Sequence, residues 1–168
     1  MSLTMHTATV ATCTRALNSL AAILEKAAAH AEARKINPAV LLGTRLYPDM
    51  LPLAMQIQLA NDSARGGAAR LAGVEVPAFE AKERGFTEWM TATRGTVAFL
   101  ESLQPAQFAG SEDRTITWQT RSSTKNMQGT PYLFHHVLPN VFLHVTTAYD
   151  ILRHSGLEIG KQDYLGKA

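Results

Sequence analysis

A single cysteine, Cys13, among 168 residues excludes an intrachain disulfide and any thiolate cluster around a metal. It also suits a reducing cytoplasm, the expected location. No stretch approaches the ~20 consecutive apolar residues that cross a bilayer, so no membrane partner is expected. The first residues lack the basic flank and apolar block of a secretion signal. Basic residues are nowhere dense. Sixteen Lys and Arg against 14 Asp and Glu leave a formal net charge of +2. Nucleic acid is not an expected partner, because affinity for its backbone grows with the number of phosphates neutralised. Aromatic residues make up only 7% of the chain. Trp89 and Trp118 stand apart and read as core or interface anchors, not as a stacking platform. There is no Gly-rich phosphate loop, no nucleophile elbow, no internal repeat and no low-complexity tract.

What is present is a 46% apolar chain of a length that supports one continuous core, so one domain over 1–168 is expected. Val10, Cys13, Leu17, Leu20, Leu24, Ala27 and Ala31 recur at alternating steps of three and four. That spacing predicts a helix over 5–34 with one buried stripe, ended by Asn37-Pro38. Cys13 lies on that stripe and reads as a core residue, since nothing beside it lowers its pKa. A connector follows over 37–47, with room for one helical turn at 39–42. Pro48 and Pro52 suit the first turn of a second helix over 48–72, with Leu53, Ile57, Ala60, Ala64 and Leu71 as its stripe and Gly73 at its end. Asp49 reads as a cap there. Gly66-Gly67 weakens this helix by roughly 1 kcal/mol per glycine relative to Ala, unless the pair lets another helix come close.

Thr87 is the expected cap of a third helix over 87–103, with Glu88 in its first turn. Phe86, Trp89, Met90, Thr93, Val97 and Leu100 form its apolar side. Residues 104–130 differ in character. Arg114 to Gln119 alternates polar and apolar residues, and Lys125 to Gln128 can pair back on it across Ser122-Ser123, which predicts a small hairpin. A last helix over 131–155 opens at Thr130-Pro131 and closes at Gly156. Pro139 lies inside it, as a kink or as the handover from a preceding turn. The expected fold is therefore all-α: a four-helix bundle with a small β-hairpin or loop insertion between helices three and four.

The last helix carries polar residues where apolar ones are expected. Its inward stripe reads Leu133, Val137, Asn140, His144, Thr147 and Ile151, so Asn140 and His144 share a face. Gln56 occupies a similar place on the second helix. A buried Gln, Asn or His left without a partner costs roughly 1–3 kcal/mol. The three residues therefore either satisfy one another and the backbone at Pro139, or line a polar ligand pocket.

The segment Pro139-Asn-Val-Phe-Leu-His-Val-Thr-Thr-Ala-Tyr-Asp-Ile-Leu-Arg-His-Ser-Gly156, followed by Gly160-Lys-Gln-Asp-Tyr-Leu-Gly166, resembles a bacterial family of unassigned activity within the DinB-like superfamily. Arg45-Leu-Tyr-Pro-Asp-Met50, with Gln56 and Asp62, is similar to that family's second-helix motif. The resemblance implies a four-helix bundle, often dimeric, and so a homodimer here. It also implies a metal position built from three histidines, one on the second helix and two, four apart, on the fourth. Some members are thiol-dependent transferases or isomerases. By this likeness His144 falls on one ligand histidine, Asn140 on another and Gln56 on the third, with Gln58 or Asp62 as lesser alternatives. Carboxamide oxygen is a weak donor to Zn²⁺ or Ni²⁺, so the implied metal site is degenerate. Other imidazoles do not replace the missing two: His135 and His136 point about 100° apart, and His154 lies about three turns beyond His144. Two readings follow. One is a non-catalytic or small-ligand-binding bundle; the other is a metal-dependent or metal-free transferase acting at Gln56, Asn140 and His144.

Overall fold

The computed structural model describes residues 3–78, 85–120 and 122–166. Helix α1, Met5–Ala33, is as long as its apolar stripe predicts, and the Thr4 hydroxyl accepts the Thr7 N–H at 3.1 Å to start it. Cys13 is fully buried on that stripe, and burial pushes its thiol pKa up to about 12, so it is inert as a nucleophile. A short helix α2, Pro38–Leu42, occupies the expected turn.

Helix α3, Leu53–Ala72, starts five residues later than the prolines suggest. Pro52 is its N-cap in extended conformation, and the Leu53 N–H reaches back to Thr44 O at 2.9 Å, so 44–53 closes as a loop. Pro48 and Asp49 belong to that loop and cap nothing. Thirteen of the 20 residues of α3 are buried, which makes it the central helix, packed against α6 and α4 (below). Its glycines allow this. A Cβ on Gly67 would lie 2.5 Å from Cγ1 of Val137, so the bare backbone sets the close approach of the two helices. Gly73 ends α3 with a left-handed φ of 69°.

Helix α4, Phe86–Ser102, packs on α1. Its cap is Gly85, not Thr87: the Glu88 carboxylate accepts the Gly85 N–H at 2.9 Å and leaves Thr87 exposed. A 3₁₀ turn, Pro105–Phe108, leads to the predicted hairpin. Strands β1 (Thr115–Gln119) and β2 (Thr124–Gln128) pair antiparallel from Thr115 opposite Gln128 to Gln119 opposite Thr124. Ile116 is buried and Trp118 half-buried, so this face of the hairpin lies on the bundle.

The last long helix is continuous but not uniform. It opens as α5, Gly129–Tyr132, widens into a π turn over Leu133–Val137, and continues as α6, Leu138–His154. The Leu138 N–H donates five residues back to Leu133 O. The widened turn sits directly before Pro139, which has no N–H to give to a regular ladder. It also shifts the buried face. Val137, Val141, Val145, Ala148 and Leu152 point into the core, together with Thr147 and Ile151 as expected. Asn140 and His144 are only half-buried and flank that face; they do not occupy it. A final short helix α7, Lys161–Leu165, is tied to α1 by Lys26–Asp163 at 2.6 Å and by Arg15 Nε donating to Leu165 O at 3.0 Å. Among the described residues no helix is long and apolar enough to cross a membrane.

Candidate functional site

The site begins at the entry to α3. Pro52 leaves the Leu51 carbonyl outside the helix, and the side chain of Gln56 turns back to it, with Nε2 donating at 3.0 Å. That bond fixes the amide, so Oε1 points the other way, across to α6. There it meets His144 Nδ1 at 2.8 Å. An amide oxygen only accepts, so His144 carries its proton on Nδ1 and leaves Nε2 as a bare acceptor. Gln56 is 4% exposed, with both ends of its amide bonded.

Asn140, expected beside these two, is turned away. Its Nδ2 donates to His136 O at 2.6 Å, one helical turn back. It therefore caps a backbone carbonyl at the turn disturbed by Pro139, which was one of the two roles open to it from sequence. The structure brings Gln56 and His144 together, at the seam of α3 and α6 and not at the bundle's centre, and leaves Asn140 out of the pair. The alternative Asp62 is committed to Arg65 at 2.5 Å. His135 and His154 are exposed, and His136 is stacked on Tyr132 with ring centroids 5.3 Å apart.

These contacts decide the fit of a metal. Gln56 Oε1 is engaged by the imidazole, and Asn140 is held by its Nδ2 on the His136 carbonyl, away from the pair. Carboxamide oxygens are weak donors to Zn²⁺ or Ni²⁺, so His144 Nε2 is the one strong donor among the three positions. No group of three His, Cys, Asp or Glu side chains that could hold an ion occurs among the described residues. The donor set does not fit a three-ligand site. What remains is a single oriented imidazole that accepts a hydrogen bond or a proton at Nε2.

Burial lowers the His144 pKa below its ordinary value of 6.5, and burial followed by the charge of Arg70 lowers that of His136. Both rings are neutral at pH 7. The unfolded chain then binds protons at a higher pH than the folded one, so the stabilisation is complete above about pH 6.5 and is lost as pH falls through the lowered folded values. The urea midpoint is expected to drop between pH 7.5 and pH 5.5. His144→Gln is expected to make that drop shallower, and an unchanged slope would show that His144 titrates normally.

The chain matches the family model described as Domain of unknown function (DUF1993) over residues 5–165. It is also similar to a solved structure, the crystal structure of a DinB family member protein from Shewanella denitrificans. The two are 38% identical, the match covers 97% of this chain and 92% of that one, and the TM-score is 0.89. No curated protein matches the chain.

Proposed function

From its membership of the DUF1993 family, a DinB-like helical bundle, we propose that this chain is a small-ligand-binding protein that recognises its ligand through His144 without a resident metal. The observation that carries this reading is the relay Leu51 O, Gln56, His144. It fixes the imidazole in one tautomer and presents Nε2 from a half-buried seam. Such an acceptor selects a ligand with a hydroxyl, amine or thiol hydrogen to donate. A neutral ring held by a carbonyl at Nδ1 is also the arrangement of a general base. That favours a second reading, a metal-free transferase in which Nε2 takes the proton of an attacking hydroxyl or thiol. A homodimer accords with the exposure of Phe134, Phe142 and Leu165, at 43%, 39% and 40%.

Purified protein is expected to hold zinc and nickel well below stoichiometry, and long-range ¹H–¹⁵N spectra to show His144 as the Nδ1–H tautomer. A fragment set of alcohols, amines and thiols should shift the His144 ring, and those shifts should vanish in His144→Ala. Stoichiometric metal lost on that substitution would overturn the ligand-binding reading. Turnover by wild type but not by His144→Gln would select the transferase. A scattering mass near 18.3 kDa would remove the dimer.

A further inference from the structure

We infer that Arg70, Tyr132 and His136 form a subsite for a small oxyanion, a carboxylate or a phosphate, at the opposite end of the α3–α6 seam from His144. His136 and His144 are eight residues apart, about 12 Å along a helix axis, so this is a separate site that does not depend on what His144 binds.

Among the described residues Arg70 carries an unbalanced charge. The half-buried Arg70 guanidinium donates from Nη1 to Tyr132 Oη at 3.3 Å. The ion pairs among the described residues join Lys26 to Asp163, Arg65 to Asp62 and Arg94 to Glu25; no carboxylate there pairs with Arg70. A guanidinium has five N–H donors in a planar fork that matches an oxyanion edge, and one is in use. Partial burial has stripped water from the cation without supplying a counter-charge, so an anion that brings one is favoured. Tyr132 is 1% exposed, and because its oxygen accepts from Arg70, its own hydrogen remains to be donated. His136 stacks on Tyr132, and Trp118 of the hairpin lies over both rings at 4.6 and 4.9 Å. Burial and then the charge of Arg70 lower the pKa of the imidazole, so the guanidinium supplies the positive charge of the cluster.

The helix is shaped to hold this cation. A Cβ on Gly66 would stand 2.8 Å from Arg70 Nη1, so the guanidinium lies back along α3 in the space glycine leaves open. Gly66→Ala therefore gives a selective probe. It favours the helix itself and meets only the mobile end of a long side chain, yet it pushes the guanidinium from its place.

The test is a titration of the whole protein with inorganic phosphate, and separately with acetate, at constant ionic strength set by chloride. Arg70 Nε–Hε and the His136 ring are followed by NMR and Trp118 by fluorescence. Saturable shifts are expected with at least one anion, together with a rise in the His136 pKa as the bound charge offsets that of Arg70. The anion that saturates at lower concentration identifies the class. Arg70→Gln should abolish saturation, and Gly66→Ala should weaken it about tenfold with the thermal midpoint unchanged or raised. Absence of saturation with both anions in wild type, shifts that persist in Arg70→Gln, or undiminished affinity in Gly66→Ala would each overturn the assignment.

Discussion

Gly129→Ala is expected to lower the thermal midpoint by about 10 °C, corresponding to a loss on the order of 3 kcal/mol. Gly129 opens α5 where the chain returns from the hairpin. A Cβ built on it would stand 1.7 Å from the carbonyl oxygen of Ser111 and 2.8 Å from its carbonyl carbon. The obstacle is backbone, and it is itself anchored: Ser111 is fully buried, and the next carbonyl, Glu112 O, accepts both the N–H and the hydroxyl of Thr130, at 2.9 and 3.2 Å. Neither strand of chain can yield without breaking those bonds, so the methyl must unseat the root of the hairpin. Gly95 on α4 supplies the control. Nothing lies within 4 Å of its added Cβ, and Gly95→Ala should be neutral or stabilising by about 0.5–1 kcal/mol through helix propensity alone. Equal midpoints for the two variants would mean that the hairpin is not rooted at Ser111 and Gly129.

The same residues show what could be read from sequence. Long apolar periodicities carried the four helices, because 3.6-residue spacing and burial are local properties of the chain. The hairpin followed from alternation around Ser122-Ser123. The errors arose where one element's geometry depends on another. Asn140 and His144 fall on a regular stripe with Leu133 and Val137, but Val141, Val145, Ala148 and Leu152 form an equally regular one beside it. The π turn at 133–137 selects the second, and nothing local announces a π turn except Pro139. Likewise Pro48 and Pro52 each suit a helix start, and only the Leu53–Thr44 bond decides between them. Gly66-Gly67 was legible as an anomaly in a helix; the reasons for it are residues 70 and 137, one supplied by the helix itself and one by its neighbour. The Arg70 cluster joins residues 62 apart in sequence, and no spacing rule finds it.

Removal of the His144 ring tests the relay directly. His144→Ala is expected to destabilise the fold by about 2 kcal/mol, most of it from Gln56, whose buried Oε1 loses its donor. The cavity contribution is small, because a half-buried ring leaves a notch that water can enter. Gln56→Ala should cost a similar amount, since it strands both Leu51 O and the Nδ1–H of His144. If the two side chains act through the 2.8 Å bond between them, the double variant should lose about 1 kcal/mol less than the sum of the single losses. Additive losses would mean that the bond contributes nothing in solution and that the tautomer of His144 is not fixed. His144→Gln separates bonding from chemistry, because an amide N–H can still reach Oε1 of Gln56 although no imidazole nitrogen remains. It should recover at least half of the stability lost in His144→Ala, with metal content unchanged among both variants and wild type. A fold indifferent to all three changes would place His144 in open solvent. A fold that stays intact while both His144 variants shed a bound ion would restore the metal site that the Gln56 and Asn140 contacts argue against.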